Sequence, residues 1–210
     1  MVKLLLILMV FLNFYALGTS RMRAFIQVCG MQGLLLGMLT FSIHDHFVWR
    51  HAAVALLTLV IKGIIIPAML FRAIREVRIR REVEPILGFV PSLLLGGIGT
   101  ALSMIYAERL PLVNPLSDTL VVATSFSTIL TGFILIVTRQ KAISQVVGYL
   151  ILENGIFVFG LLLMQSTPFL VELGVLLDVF VGVFIMGIII NYIQRTFSSI
   201  DTTHLETLKE

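Results

Sequence analysis

Three ionisable residues stand inside apolar runs: Lys62 in LVIKGIII, Glu153 in GYLILENG and Asp178 in LGVLLDVFVG. Insertion scales charge about 2.5–3.5 kcal/mol for Lys or Asp at the centre of a membrane helix, so such a residue marks an ion path or a buried partner. Burial favours the neutral form of an ionisable group, and a carboxyl near neutrality can load and release protons. The chemistry open to these residue types is therefore proton or sodium handling along Glu153, Asp178 and Lys62. The competing reading is a structural one, in which Lys62 pairs with Glu153 or Asp178 only to neutralise buried charge. Asn154 follows Glu153 and is placed to orient it or hold a water. Asp178 lies between Gly174 and Gly182 on one helical face, which aims it at a close neighbour or cavity rather than at lipid.

The elements that carry these residues are membrane helices. The 210 residues are 58% hydrophobic and only 13% charged, about half the charged fraction of soluble domains, and the mean hydropathy is +1.04. Runs of roughly 20 apolar residues match the hydrocarbon thickness, and continuous rather than alternating runs specify helices, not barrel strands. The single cysteine, Cys29, allows no disulfide within the chain. The net charge of +3 comes from residues beside the spans, so it sets topology rather than nucleic-acid binding.

Seven spans are predicted. The first runs from Leu4 to Leu17; Lys3 and the small residues at Ala16–Gly18 also fit a secretory signal peptide, but Arg21 and Arg23 follow at once and resist export. Span two, Ala24–Ile43, aligns Gly30, Gly33 and Gly37. Span three, Phe47–Phe71, holds Lys62 and then Pro67, which cannot donate to the Gly63 carbonyl and predicts a kink. The loop Arg72–Glu84 has five arginines against three glutamates. Span four, Ile86–Ala107, sets Gly88, Ser92, Gly96, Thr100 and Ser103 as a small-residue ridge for close helix approach. Span five, Leu116–Val137, carries Thr124, Ser127, Thr128 and Thr131 on one stripe, where Thr124 and Thr128 can bond across an interface. Spans six and seven lie within Arg139–Arg195, joined at Ser166-Thr167-Pro168.

The loops after spans one, three, five and seven hold most of the Lys and Arg. Positive charge favours the cytoplasm, which predicts an outside N-terminus and a cytoplasmic C-terminus. Arg21–Gly30 matches Arg139–Gly148 in register at Arg, a basic residue, Ala, Gln, Val and Gly. With a two-residue gap, Lys62 takes the position of Asp178. Spans 1–3 and 5–7 then read as two parallel copies around span four, against the alternative of shared composition alone. The divisions expected are residues 1–84, 85–115 and 116–210.

His44, His46 and His51 with Asp45 cluster at a span end beside Trp49, which fits an interfacial belt better than a metal site; no metal site is assigned. No phosphate loop, activated nucleophile or iron–sulfur spacing appears.

The stretch Arg139–Arg195 resembles the small K-type membrane subunit of respiratory complex I and the C-type subunit of Mrp cation/proton antiporters. Arg139, Gly148, Asn154 and Leu161 fit the first helix of that pattern, Asp178 its second carboxylate and Ile200-Asp201 its tail. The family's first glutamate falls near Leu150, whereas Glu153 lies one turn further on. The extra N-terminal half, LVIKGIIIPAML and GYLILENG narrow the resemblance to the E subunit of hydrogenase-4-type complexes, which are related to formate hydrogenlyase. That resemblance implies a non-catalytic accessory subunit beside antiporter-like subunits in a prokaryotic cytoplasmic membrane. Nickel–iron and iron–sulfur chemistry would reside in partner chains. The alternatives are a scaffold subunit without an ion path, a subunit of an Mrp-like antiporter, and a free-standing small transporter.

Overall fold

A computed structural model of the chain describes residues 1–43, 56–76, 86–110, 115–163, 178, 180–187 and 191. The described residues are helical apart from turns and joints, with no β-strand among them. Helix α1 covers Val2–Gly18 and α2 covers Met22–Ile43. Helix α3 joins helical residues 56–60, a π-helical turn at Ile61–Ile65 and the α-helical Ile66–Glu76. Helices α4, α5 and α6 cover Phe89–Glu108, Pro115–Thr138 and Ala142–Leu163; α7 is the helical residues 178, 180–187 and 191. Among the described residues five helices, α2 to α6, are long and apolar enough to cross a membrane, and α1 is a shorter apolar helix. The histidine cluster, Trp49, Gly174, the turn at Ser166–Pro168 and the tail from Ser198 lie outside the described residues, as does most of the basic loop.

Local sequence explains the helix ends. Gly88 precedes α4 at φ 73° and ψ 168°, a left-handed conformation that glycine adopts without a Cβ penalty. It therefore caps α4 instead of continuing the ridge expected of it. Pro91 follows in the first turn, where backbone N–H groups have no intrahelical partner in any case. Pro115 opens α5 for the same reason. The irregularity expected at Pro67 takes the form of the π turn, in which the Ile66 N–H reaches back five residues to the Ile61 carbonyl. Several hydroxyls inside the helices donate to carbonyls one turn earlier: Thr100 to Gly96 at 2.8 Å, Ser103 to Gly99 at 2.7 Å and Thr128 to Thr124 at 2.7 Å. That pairing lets these polar side chains sit in an apolar helix.

Glycines set which helices meet. A Cβ on Gly33 would stand 2.5 Å from the Lys62 carbonyl carbon, on Gly37 2.8 Å from the Leu59 Cβ, and on Gly30 3.0 Å from the Pro67 ring. The aligned glycines of α2 are thus the seat of α3. In the same way Gly132 of α5 faces the Leu152 backbone, and Gly155 of α6 faces Ile129. Of the remaining ridge of α4, Ser92, Gly96 and Ser103 turn inward and are buried, Gly96 against Leu17 of α1, whereas Thr100 is half-buried and the neighbouring Gly99 takes the buried position. Its outer face, with Val90, Leu94, Ile98 and Leu102, is exposed. Helix α1 packs against α2, α4 and α5, and α6 packs against α2 and α5. Three buried apolar clusters result among the described residues, two of them large. One gathers Leu17, Phe25, Ile26, Leu70, Leu135, Val147, Ile151 and Val181; the other gathers Leu6, Met9, Leu36, Leu39, Val121, Val158 and Leu161.

Candidate functional site

The first cluster takes its α1, α2, α5 and α6 residues from one end of the bundle, and the second takes them from the other. Between them each of those helices contributes a polar residue: Asn13 between Met9 and Ala16, Gln32 between Cys29 and Leu36, Thr128 between Val121 and Leu135, Asn154 between Ile151 and Val158. A polar layer is thereby enclosed in apolar packing.

At its centre Lys62, carried on the π turn of α3, donates from Nζ to Glu153 Oε1 of α6 at 2.8 Å. Asp178 Oδ1 of α7 lies 3.1 Å from the same nitrogen, within ion-pair range but not aligned as a hydrogen bond. All three residues are at most 4% exposed, so water screens them little. The Phe157 ring, one turn along α6 from Glu153, stands with its centroid 5.9 Å from Nζ, near the outer limit of a cation–π contact. Glu153 Oε2 is buried without a hydrogen-bond partner. Gly182, one turn beyond Asp178, faces Met69 of α3 at 3.7 Å, so α7 meets α3 beside the carboxylate, as a glycine at that spacing predicts.

A row of amides extends from this cluster. Asn154 Nδ2 donates to Gln32 Oε1 at 3.3 Å, and Gln32 Nε2 donates to Asn13 Oδ1 at 2.8 Å. Asn13 Nδ2 then donates to Thr128 Oγ1 at 2.9 Å, whose own hydroxyl proton goes to the Thr124 carbonyl. Beside it, the Ser127 and Thr100 hydroxyls share a hydrogen bond of 2.7 Å between α5 and α4. An unpaired buried amide costs about 1–3 kcal/mol, and here each side chain reaches a partner on a neighbouring helix. The row therefore fixes the register of α6, α2, α1 and α5 at one level.

Arg139, in the joint between α5 and α6, is a separate buried cation at 1% exposure. It donates from Nη2 to the Leu17 carbonyl at 2.9 Å and sits between the Phe25 and Phe89 rings, 6.0 and 5.3 Å from their centroids. Burial pushes its guanidinium below the ordinary arginine value, while leaving it the cation that an arginine remains in proteins. Among the described residues no group of three or more His, Cys, Asp or Glu side chains is placed to hold a metal ion.

The structure thus brings Lys62, Glu153 and Asp178 into one cluster. It places Thr124 and Thr128 at the far end of the amide row, and Asn154, expected to orient Glu153 or hold a water, donates from Nδ2 to Gln32. Asn13 and Gln32 were not anticipated from sequence. The signal they offered was a lone amide, Asn13, in the first apolar run and Gln32 in the middle of the second, whose other amide, Gln27, stands near its start.

No protein-family profile and no solved structure matches the chain. It is 30% identical over 194 residues to the uncharacterized protein Rv0085 of Mycobacterium tuberculosis, covering 90% of this chain and 87% of that protein. It is 26% identical over 171 residues to the hydrogenase-4 component E of Escherichia coli K12, covering 80% and 76% respectively. The hydrogenase-4 component E of Shigella flexneri matches to the same extent.

Proposed function

We propose that this chain, which belongs to the family of Rv0085 and is a homologue of hydrogenase-4 component E, is a non-catalytic subunit of a hydrogenase-like membrane complex in which Lys62, Glu153 and Asp178 form part of a proton or cation path. The observation that carries this reading is the buried cluster itself. Two carboxylates and one ammonium, drawn from α3, α6 and α7, meet between two apolar layers. Charges so placed are costly and mark ion paths in membrane proteins. Electron transfer, with any nickel–iron and iron–sulfur groups, belongs in this reading to partner subunits, antiporter-like ones among the neighbours.

Seven spans with the N-terminus outside and the C-terminus in the cytoplasm, in a prokaryotic inner membrane, complete the proposal. The bias of Lys and Arg to alternate loops supports that orientation. Labelling a cysteine introduced in the tail from one side of the membrane checks it, and access only from outside overturns it. The two three-residue joints, residues 19–21 and 139–141, each followed by a helix of 22 residues, support duplication of a three-helix unit.

The experiment for the ion path is pumping by the assembled complex after Glu153→Gln and Asp178→Asn. The reading expects assembly with reduced pumping in both; intact assembly with unchanged pumping discards it. A scaffold role is the second reading, favoured by Lys62 being paired within the chain and by the amide row, both of which clamp helices together.

A further inference from the structure

The charges of the cluster do not balance. Lys62 supplies one positive charge against the two negative charges of Glu153 and Asp178, all at 3–4% exposure. Among the described residues, two further titratable groups act on it electrostatically, and both are neutral in their ordinary forms: Cys29 of α2 and Tyr149 of α6. Among the described residues, α1, α4 and α5 bring polar groups to this level without charge, through Asn13, Thr100, Ser127 and Thr128. Satisfaction of the acceptors points the same way. An ionised carboxylate offers about four acceptor sites, yet Glu153 Oε2 has no hydrogen-bond partner and Asp178 Oδ1 has an ion-pair contact without hydrogen-bond alignment.

We propose that the cluster holds one exchangeable proton shared between Glu153 and Asp178, so that Lys62, the two carboxyl groups and the proton sum to zero charge. A proton on one carboxyl removes the charge that Lys62 leaves unbalanced and gives a donor to a pair in which Glu153 Oε2 has no hydrogen-bond partner, while Lys62 pairs with the carboxylate that stays ionised. The proton belongs to the pair rather than to either residue, as in other strongly interacting carboxyl pairs. It enters as one proton from water onto one carboxylate oxygen and leaves by the reverse step, with no bond to carbon made or broken. As a loading step it rests on the ion-path reading; its presence is read apart from pumping.

The test is infrared difference spectroscopy of the full chain in lipid membranes at neutral pH, on the carbonyl stretch of a protonated carboxylic acid. The native protein is expected to show one such band, shifted on exchange into deuterium oxide. That band disappears in Glu153→Gln and again in Asp178→Asn, because Lys62 then balances the single remaining carboxylate. In Lys62→Met, which leaves two carboxyls and no cation, the band doubles. A native spectrum without a band that either variant removes overturns the proposal. So does a band that forms only when sodium is withdrawn, since the site then holds a metal cation. A native band together with unchanged pumping in the variants keeps the shared proton but removes the ion path; lost pumping with no native band does the opposite.

Discussion

Gln32 shows what a single residue does in this protein. It accepts from Asn154 and donates to Asn13, so Gln32→Leu strands a donor on α6 and an acceptor on α1 inside an apolar core. The expected cost is about 1–3 kcal/mol, toward the lower end because hydrogen bonds between membrane helices average about 0.6 kcal/mol. Thermal unfolding in lipid measures it against Ser42→Ala, which removes an exposed bond within one helix; equal midpoints for the two variants contradict the clamping role. Lys62, Glu153 and Asp178 are legible in the sequence and Gln32 and Asn13 are not, for an energetic reason. A charge in an apolar run is expensive enough to demand explanation from sequence alone. A neutral amide is cheap enough to pass as incidental, and its partner stands on another helix at a distance in sequence that no pattern reveals.

Among the elements, helix approach is governed by the glycine face of α2. A methyl group on Gly33 meets the Lys62 backbone at 2.5 Å, and backbone cannot yield as a side chain tip does. Gly33→Ala should therefore push α3 away, lengthen the Lys62–Glu153 contact and destabilise by about 1–3 kcal/mol, the range for overpacking. Gly97→Ala on α4 has nothing within 4 Å and should be neutral or stabilising, since alanine is the better helix former by about 0.8–1.0 kcal/mol. Comparable losses in the two variants count against this packing. The aligned glycines of α2 and the small ridge of α4 were legible because close approach demands small side chains at helical spacing. Which helix fills each face was not legible, because sequence spacing says nothing about neighbours. Pro67 likewise marked an irregularity in α3 without specifying a π turn, whose extra residue is a property of the backbone between Ile61 and Ile65.

For the whole molecule, the helical membrane class followed from composition, since a chain with so few charged residues cannot clothe a soluble surface. The assembly of the polar layer did not follow from it: four helices had to align Asn13, Gln32, Thr128 and Asn154 at one level, and only packing sets that level. The exposed apolar faces of α1 and α4, including Phe11, Leu94 and Ile98, are suited to acyl chains or partner subunits, in keeping with a chain that works inside a larger assembly. Ion movement by that assembly depends in this reading on the cluster, and removing the cluster as a unit shows whether it does. Replacing a buried ion cluster by neutral groups of similar size is often neutral or stabilising, whereas breaking it one-sidedly leaves a stranded charge. The triple variant Lys62→Met, Glu153→Gln, Asp178→Asn is therefore expected to assemble with its partners. The measurement is the number of ions moved per turnover of the electron-transferring subunits in sealed vesicles: a sharp fall with assembly and turnover preserved is the predicted result, and an undiminished ratio would contradict it.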